Sequence, residues 1–264
     1  MSAFAGTGTD SGAAEGGLPV RDEAVYSRRL HFLLRRFKRA QRRWRLIEEG
    51  DRVLVGISGG KDSLALAHLL RRWRRESAER FDFAAIHLQA TGAQGNAERR
   101  ELLRRHFASL GVPIEFATVD IPDEAATPKA GMRCFRCSWN RRREIFTSAH
   151  EHGFNKVALG HHLDDAAETV LMNLLFHANL ETMEPKVEFF DGLLTLIRPL
   201  ILAEEREIVR VSSVVCFPYF GCPCPEEPRT ERDRAGELIA SFGRKARMVK
   251  RNLWRASRSW VGDG

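Results

Sequence analysis

Short apolar runs alternate with longer amphipathic ones along most of the chain. Residues 53–57, 83–88, 114–119 and 156–159 are brief and rich in Val, Ile, Leu and Phe, which predicts strands. Residues 64–70, 97–110, 138–152 and 164–176 repeat apolar positions at helical spacing. Strands and helices in strict alternation predict an α/β fold built on a doubly wound parallel sheet. A further strand is expected at 193–197, and helices at 232–242 and 245–260 close the chain. Ahead of the first strand, Tyr26, Leu30, Leu33, Leu34, Phe37, Trp44 and Ile47 recur at helical spacing with Arg28, Arg29, Arg35, Arg36, Arg39, Arg42 and Arg43 between them. That pattern predicts a basic amphipathic helix whose charged face is either solvated or set against RNA. Residues 1–20, mostly Gly, Ala, Ser and Thr, predict a disordered tail.

The polar residues that interrupt this pattern carry the chemistry. Ser58, Gly59, Gly60, Lys61, Asp62 and Ser63 join the first strand to the helix after it. Glycines there let backbone N–H groups close around an anion, and the helix directs the positive end of its dipole to the same place. Lys61 adds a full charge, Ser58 and Ser63 add hydroxyls, and Asp62 is placed to cap the helix or hold a metal ion. A Walker A loop would need glycine at position 55 and Ser or Thr after the lysine, where this chain has Val55 and Asp62. SGGKDS after a strand instead resembles the PP-loop of the ATP pyrophosphatase superfamily, which implies cleavage of ATP between the α and β phosphates and adenylation of a substrate oxygen.

A second polar run, Gly160, His161, His162, Leu163, Asp164 and Asp165, follows the strand at 156–159 and opens the next helix. In a doubly wound sheet, ligands gather at the carboxyl ends of the strands. Both loops should converge there with His87, giving an ATP site of Ser58 to Ser63, His87, Gly160 and His161. Asp164 and Asp165 are placed either to cap their helix or to face Mg²⁺ on the nucleotide.

Charge and cysteine content sharpen the picture. With 42 Lys and Arg against 35 Asp and Glu the net charge is +7, which favours a polyanionic partner such as nucleic acid. Lys245, Arg247, Lys250, Arg251, Arg255 and Arg258 interleave with Trp254 near the end of the chain, a mixture suited to phosphates together with packing or stacking. No apolar run reaches the roughly 20 residues that cross a bilayer, and no secretory signal opens the chain, so the expectation is a cytoplasmic protein away from membranes. The 5 cysteines are Cys134, Cys137, Cys216, Cys222 and Cys224. Cys134 and Cys137 form a Cys-x-x-Cys read as lying in the loop before a helix. With a distant thiol they suit an iron–sulfur cluster, a zinc site or a redox disulfide.

SGGKDS, the Cys-x-x-Cys, GHHLDD and the later Cys222, with IEEGDRV at 47–53, EPK at 184–186 and IRPL at 197–200, together resemble the TtcA family of tRNA-cytidine 2-sulfurtransferases. The resemblance implies a homodimeric, ATP- and Mg²⁺-dependent enzyme that adenylates O2 of cytidine 32 in the tRNA anticodon loop and replaces it with sulfur. It also implies a [4Fe–4S] cluster on Cys134, Cys137 and Cys222, with Cys224 an alternative third ligand. Sulfur would come from a donor such as a cysteine desulfurase. Lys61, Asp62, Asp164, Asp165 and Arg141 would carry catalysis. On this reading 1–20 is a tail, 21–48 a basic helix, 49–228 the PP-loop catalytic domain with the iron–sulfur site, and 229–264 a basic helical extension. Alternatives are a PP-loop enzyme forming 2-thiouridine or lysidine, and a zinc-stabilised RNA-binding protein.

Overall fold

The central β-branched and alanine-rich runs pair side by side because they are apolar on both faces and need cover above and below. A computed structural model describes residues 20–90, 96–119, 132–215, 217–218 and 230–259. Its strands are β1 (Arg52–Ile57), β2 (Asp82–Ala90), β3 (Ile114–Val119), β4 (Lys156–Ala158), β5 (Lys186–Phe189) and β6 (Leu194–Ile197). They form one sheet in the order β3-β2-β1-β4-β6-β5. All neighbours run parallel except β5, which is antiparallel to β6 at the edge.

The described helices are α1 (Glu23–Trp44), α2 (Lys61–Glu76), α3 (Asn96–Leu110), α4 (Met132–Glu151), α5 (Leu163–His177), α6 (Glu205–Ser212), α7 (Glu231–Ser241) and α8 (Ala246–Ser259). Alternation along β1 sorts them onto two faces. Val53, Val55 and Ile57 pack with residues of α1, α2, α3 and α6. Leu54 faces the other way, into a cluster with Ala84, Ile86 and Ala149, the last from α4. The sheet is therefore covered on both sides, as the alternation of elements predicts. The basic opening helix belongs to the same core: Leu30, Leu33, Leu34 and Phe37 of α1 are fully buried beside α2. Arg45 turns into the left-handed region to end it, and the Gln41 side chain then bonds both the amide and the carbonyl of Ile47.

Three features depart from the sequence reading. The Cys-x-x-Cys lies within α4, which starts at Met132, and not in a loop ahead of it. The strand expected at 193–197 is half of a hairpin: Asp191 and Gly192 at its turn have φ of 55° and 87°, the positive values that a tight Asp-Gly turn adopts, and β5 is its other arm. The short helix α6 was not anticipated. The expected tail lies outside the described residues except for Val20, which bridges to Val215. Cys216, Cys222 and Cys224 also lie outside them.

Candidate nucleotide site at the carboxyl edge of the sheet

Strand order reverses beside β1, because β2 lies on one flank and β4 on the other. The crevice above the carboxyl ends of β1 and β4 is thus the place where this class of sheet binds ligands. The SGGKDS loop leaves β1 there. Gly59 has a φ of +87°, which a side chain would resist, and it brings the chain round to Gly60 at the start of α2. Ser63 Oγ accepts from the Ser58 amide at 3.2 Å and donates to the Gly60 carbonyl at 3.0 Å, so the loop is braced from inside. Asp22, Thr230 and His162 supply side-chain caps to α1, α7 and α5, whereas Gly60 gives α2 none. The first amides of α2 are left for an anion.

The GHHLDD loop lies directly on this turn. A Cβ added to Gly160 would stand 3.0 Å from the Asp62 carbonyl carbon and from the Ser63 amide nitrogen. His162 caps α5: its Nδ1 accepts from the Asp165 amide at 3.4 Å while the Asp165 carboxylate accepts from the His162 amide at 2.8 Å. His162 Nε2 faces Asp62 Oδ1 at 3.7 Å. Burial raises the Asp62 pKa against the pull of His162 and Lys61, and Oδ1 has no hydrogen-bond partner among the described residues. A buried carboxylate oxygen left open beside an uncapped helix start is suited to a divalent cation on a polyphosphate.

Asp164 and Asp165 are engaged within the protein. Asp165 completes the α5 cap. Asp164 is buried, takes the Glu205 amide at 2.9 Å and is ion-paired with Lys250 of α8. Glu205 reaches back to Lys61, with Nζ to Oε1 at 2.9 Å. Burial works to lower the Lys61 pKa, but the Glu205 hydrogen bond and the charges of Asp62 and Glu205 prevail and hold it above its ordinary value. Lys61, Glu205, Asp164 and Lys250 therefore form one chain of contacts joining α2, α6, α5 and α8.

His87, at the β2 end, is buried and bonds the Ile57 carbonyl through Nδ1 at 2.7 Å. Burial, assisted by the charge of Arg141, lowers its pKa. Arg141 of α4 thus acts on the same edge of the sheet. Burial also brings His161 down to about 4 against the pull of Asp165, and its Nδ1 has no partner among the described residues. Cys137 is a half-buried thiol outside any disulfide, and the backbone position of Cys134 lies one turn earlier on α4. Two cysteine positions one turn apart, with Arg141 a turn beyond, fit an edge of a metal cluster.

Residues outside the sequence reading complete the site. Glu205 joins it because α6 forms. Glu168, one turn beyond Asp165, is raised to about 7 by burial and by the Asp165 charge, with Arg232 opposing. Arg198, inside the IRPL run, is lowered to about 10 by burial and by the nearby charge of Arg142. Its guanidinium donates to the Glu184 carbonyl, and its Nε has no partner among the described residues. An arginine in the short IRPL motif at the end of an apolar strand was the sequence signal for it.

Much of the basic surface near the chain's end is spoken for internally. Arg247 and Arg251 pair with buried Glu204, Lys250 with Asp164 and Arg258 with Glu184, while Trp254 is buried in the core. Each of these four cations is ion-paired to an acid within the protein.

The PP-loop domain family matches residues 31–235 of the chain. A tRNA-cytidine(32) 2-sulfurtransferase of Anaeromyxobacter sp. (strain Fw109-5) is 36% identical over 241 residues, covering 90% of this chain and 78% of that protein. The enzyme of the same name from Geobacter metallireducens is 39% identical over 223 residues, covering 83% and 85%. Among solved structures, the U34-tRNA thiolase NcsA from Methanococcus maripaludis with its [4Fe–4S] cluster aligns with a TM-score of 0.75 over 90% of this chain and 81% of that one. At 20% identity this is a likeness of fold.

Proposed function

Because the chain belongs to the tRNA-cytidine(32) 2-sulfurtransferase family of PP-loop proteins, we propose that the crevice between β1 and β4 activates O2 of cytidine 32 with ATP so that sulfur can replace it. The enzyme is an ATP-using tRNA sulfurtransferase. The observation that carries this reading is the seating of Gly160 on the backbone of Asp62 and Ser63, which brings both polar loops to one anion-binding helix start.

In the first step O2 attacks the α-phosphorus, the bond from that phosphorus to its bridging oxygen breaks, and pyrophosphate leaves. In the second a sulfur nucleophile adds at C2, the C2–O2 bond breaks, and AMP departs with the original oxygen. The open amides of α2 and Lys61 balance charge developing on the pyrophosphate, and fixed donors of this kind lower such barriers most. Asp62, with its open oxygen, would hold Mg²⁺ and so help neutralise the phosphates. Glu168, near neutrality, can take up a proton when the substrate amino group or the entering sulfur sheds one. Cys134 and Cys137 of α4, with Cys222, would hold a [4Fe–4S] cluster, which would supply sulfur-transfer chemistry beside the nucleotide. Arg141, one turn past Cys137 on α4, places its charge on His87 at the same edge of the sheet. Sulfur from a cysteine desulfurase, a homodimeric assembly and a cytoplasmic location complete the proposal; no described helix is long and apolar enough to cross a membrane.

Mass spectrometry of tRNA nucleosides from a strain lacking the protein tests this reading. Loss of 2-thiocytidine, restored by the wild-type gene and not by a Lys61→Ala gene, is the expected result. Loss of 2-thiouridine or lysidine instead would overturn it.

A further inference from the structure

One face of α4 carries Trp139, Arg142, Arg143, Phe146 and His150, and together with the β5–β6 hairpin it walls an open groove of about 700 Å³. Trp139 is 52% exposed, and across the groove Phe190 is 63% and Leu193 70% exposed. Large apolar side chains gathered at this density mark a contact surface. Phe190 is also held at a φ of +54°, unusual for a bulky residue, so the hairpin sustains strain while presenting that ring. Phe146 backs it, with ring centroids 6.5 Å apart.

The chemistry of the walls selects the occupant. Aromatic faces alternate with Arg142, Arg143 and His150, and Glu151 is the one acid among the lining residues. Stacking platforms set among cations fit unpaired nucleotides, whose bases have apolar faces and whose phosphates are negative. A second copy of the same face fits poorly, because a two-fold contact would set Arg142 and Arg143 near their own counterparts. Only one end of the groove is near the nucleotide crevice. Trp139 stands two residues after Cys137 on the same helix and the charge of Arg142 reaches Arg198 just past the carboxyl end of β6, whereas Phe190 and Leu193 stand at the amino end of that strand, so a single strand laid along the groove runs away from the crevice.

We propose that this groove binds unpaired anticodon-loop nucleotides leading away from the reacting cytidine, with one base stacked on Trp139 at the end near the crevice, a more distant one on Phe190, and their phosphates on Arg142 and Arg143. The inference rests on the tRNA-thiolating reading above. It adds where the single strand lies on the enzyme and which side chains orient it.

The test uses full-length holoprotein and unmodified tRNA. Binding is followed by anisotropy at several salt concentrations, and thiolation is followed at saturating ATP. Trp139→Ala and Phe190→Gly should each weaken tRNA binding by roughly 5- to 150-fold, the range for one lost base stack, and raise KM for tRNA with kcat and ATP binding retained. Trp139→Phe should restore most of the affinity. Phe190→Gly relieves the left-handed backbone, so its thermal stability should hold or rise while affinity falls, which separates docking from unfolding. Arg142→Gln with Arg143→Gln should flatten the salt dependence. If the wild-type protein thiolates tRNA and the Trp139→Ala/Phe190→Gly protein binds tRNA equally well, the groove assignment is wrong and the functional reading survives. A double variant that turns a wild-type dimer into a monomer in sedimentation, with tRNA affinity unchanged, overturns it in favour of a contact between copies. A wild-type protein that neither binds nor thiolates tRNA removes the reading beneath it.

Discussion

Gly160 stands against Asp62 so closely that a Cβ there would lie 3.0 Å from the Asp62 carbonyl carbon and 3.2 Å from its oxygen. The obstacle is backbone of the phosphate loop, which cannot rotate aside as a side chain can. Gly160→Ala should therefore lever the two loops apart by a few tenths of an ångström and move Lys61 and Asp62 away from their ligand. The expected loss in kcat/KM for ATP is roughly 10-fold, below the roughly 10² of a full 1 Å misplacement. Overpacking should cost about 1–3 kcal/mol of stability, too little to unfold most domains. Pyrophosphate release measures the first and chemical denaturation the second. Wild-type turnover in this variant would show that the loops act independently.

Lys61 is bound by Glu205 at 2.9 Å, and a nucleotide must compete for it. Lys61→Ala should lower kcat roughly 10²- to 10³-fold, the usual loss for one preorganised donor, while the visible absorption of a bound cluster stays unchanged. Glu205→Gln should act in the opposite sense on binding. It frees Lys61 and removes a negative charge beside the phosphates, so KM for ATP should fall. The pair is partly exposed, which limits the change to about fivefold. Calorimetric titration with ATP distinguishes the two, and weaker ATP binding in Glu205→Gln would instead make Glu205 part of the nucleotide site.

The parallel sheet and both polar loops were legible because each rests on local pattern: apolar runs of strand length, glycines where the backbone must turn, and carboxylates at a helix start. β5 was missed because it is a partly exposed edge strand of 4 residues, Lys186–Phe189, with no apolar run. Its signal was the Asp191-Gly192 pair, with Phe189 and Phe190 before it and Leu193 and Leu194 after it, which indicates a hairpin. α6 has only 8 residues, too few for periodicity to speak, yet it delivers Glu205 to Lys61. Helix α4 begins before the first cysteine because residues 132–137 contain neither Gly nor Pro to stop it. The role of the cations in α8 was beyond sequence altogether. Whether a lysine meets a phosphate or a buried aspartate depends on contacts between residues 86 positions apart, as for Lys250 and Asp164.

A buried chain of polar rings links α1, α2 and α3. Tyr26 lies 2.8 Å from His68 Nδ1, and His68 Nε2 lies 3.1 Å from His106 Nε2. Burial lowers both imidazoles, His106 to about 4 from an ordinary value of 6.5. The unfolded chain therefore binds more protons than the folded one between those values. Their contribution to stability is complete above pH 6.5 and declines as pH falls toward 4. For His106 alone the loss is on the order of 3 kcal/mol. His106→Gln keeps a partner for His68 and removes this titration. Thermal melting at pH 7 and pH 4.5 should show a smaller drop in the variant, and identical drops would mean that water reaches the pair.

Lys250 and Arg251 are sequence neighbours in α8 with unequal tasks. Lys250 is the cation paired with buried Asp164, whose other oxygen takes the Glu205 amide at 2.9 Å. Arg251 shares Glu204 with Arg206 and Arg247. Losing Lys250 strands a buried carboxylate, whereas losing Arg251 leaves Glu204 with two cations. Breaking a buried pair costs about 3–5 kcal/mol, and the partial exposure of Lys250 reduces that to about 2 kcal/mol, against less than about 1 kcal/mol for Arg251→Met. Lys250→Met should also slow ATP turnover, because Asp164 positions the amide end of Glu205 and, through it, Lys61. Since Lys250 is spent inside the protein, its loss should leave the salt dependence of tRNA binding unaltered. A fall of about one in that slope would instead assign Lys250 to a phosphate.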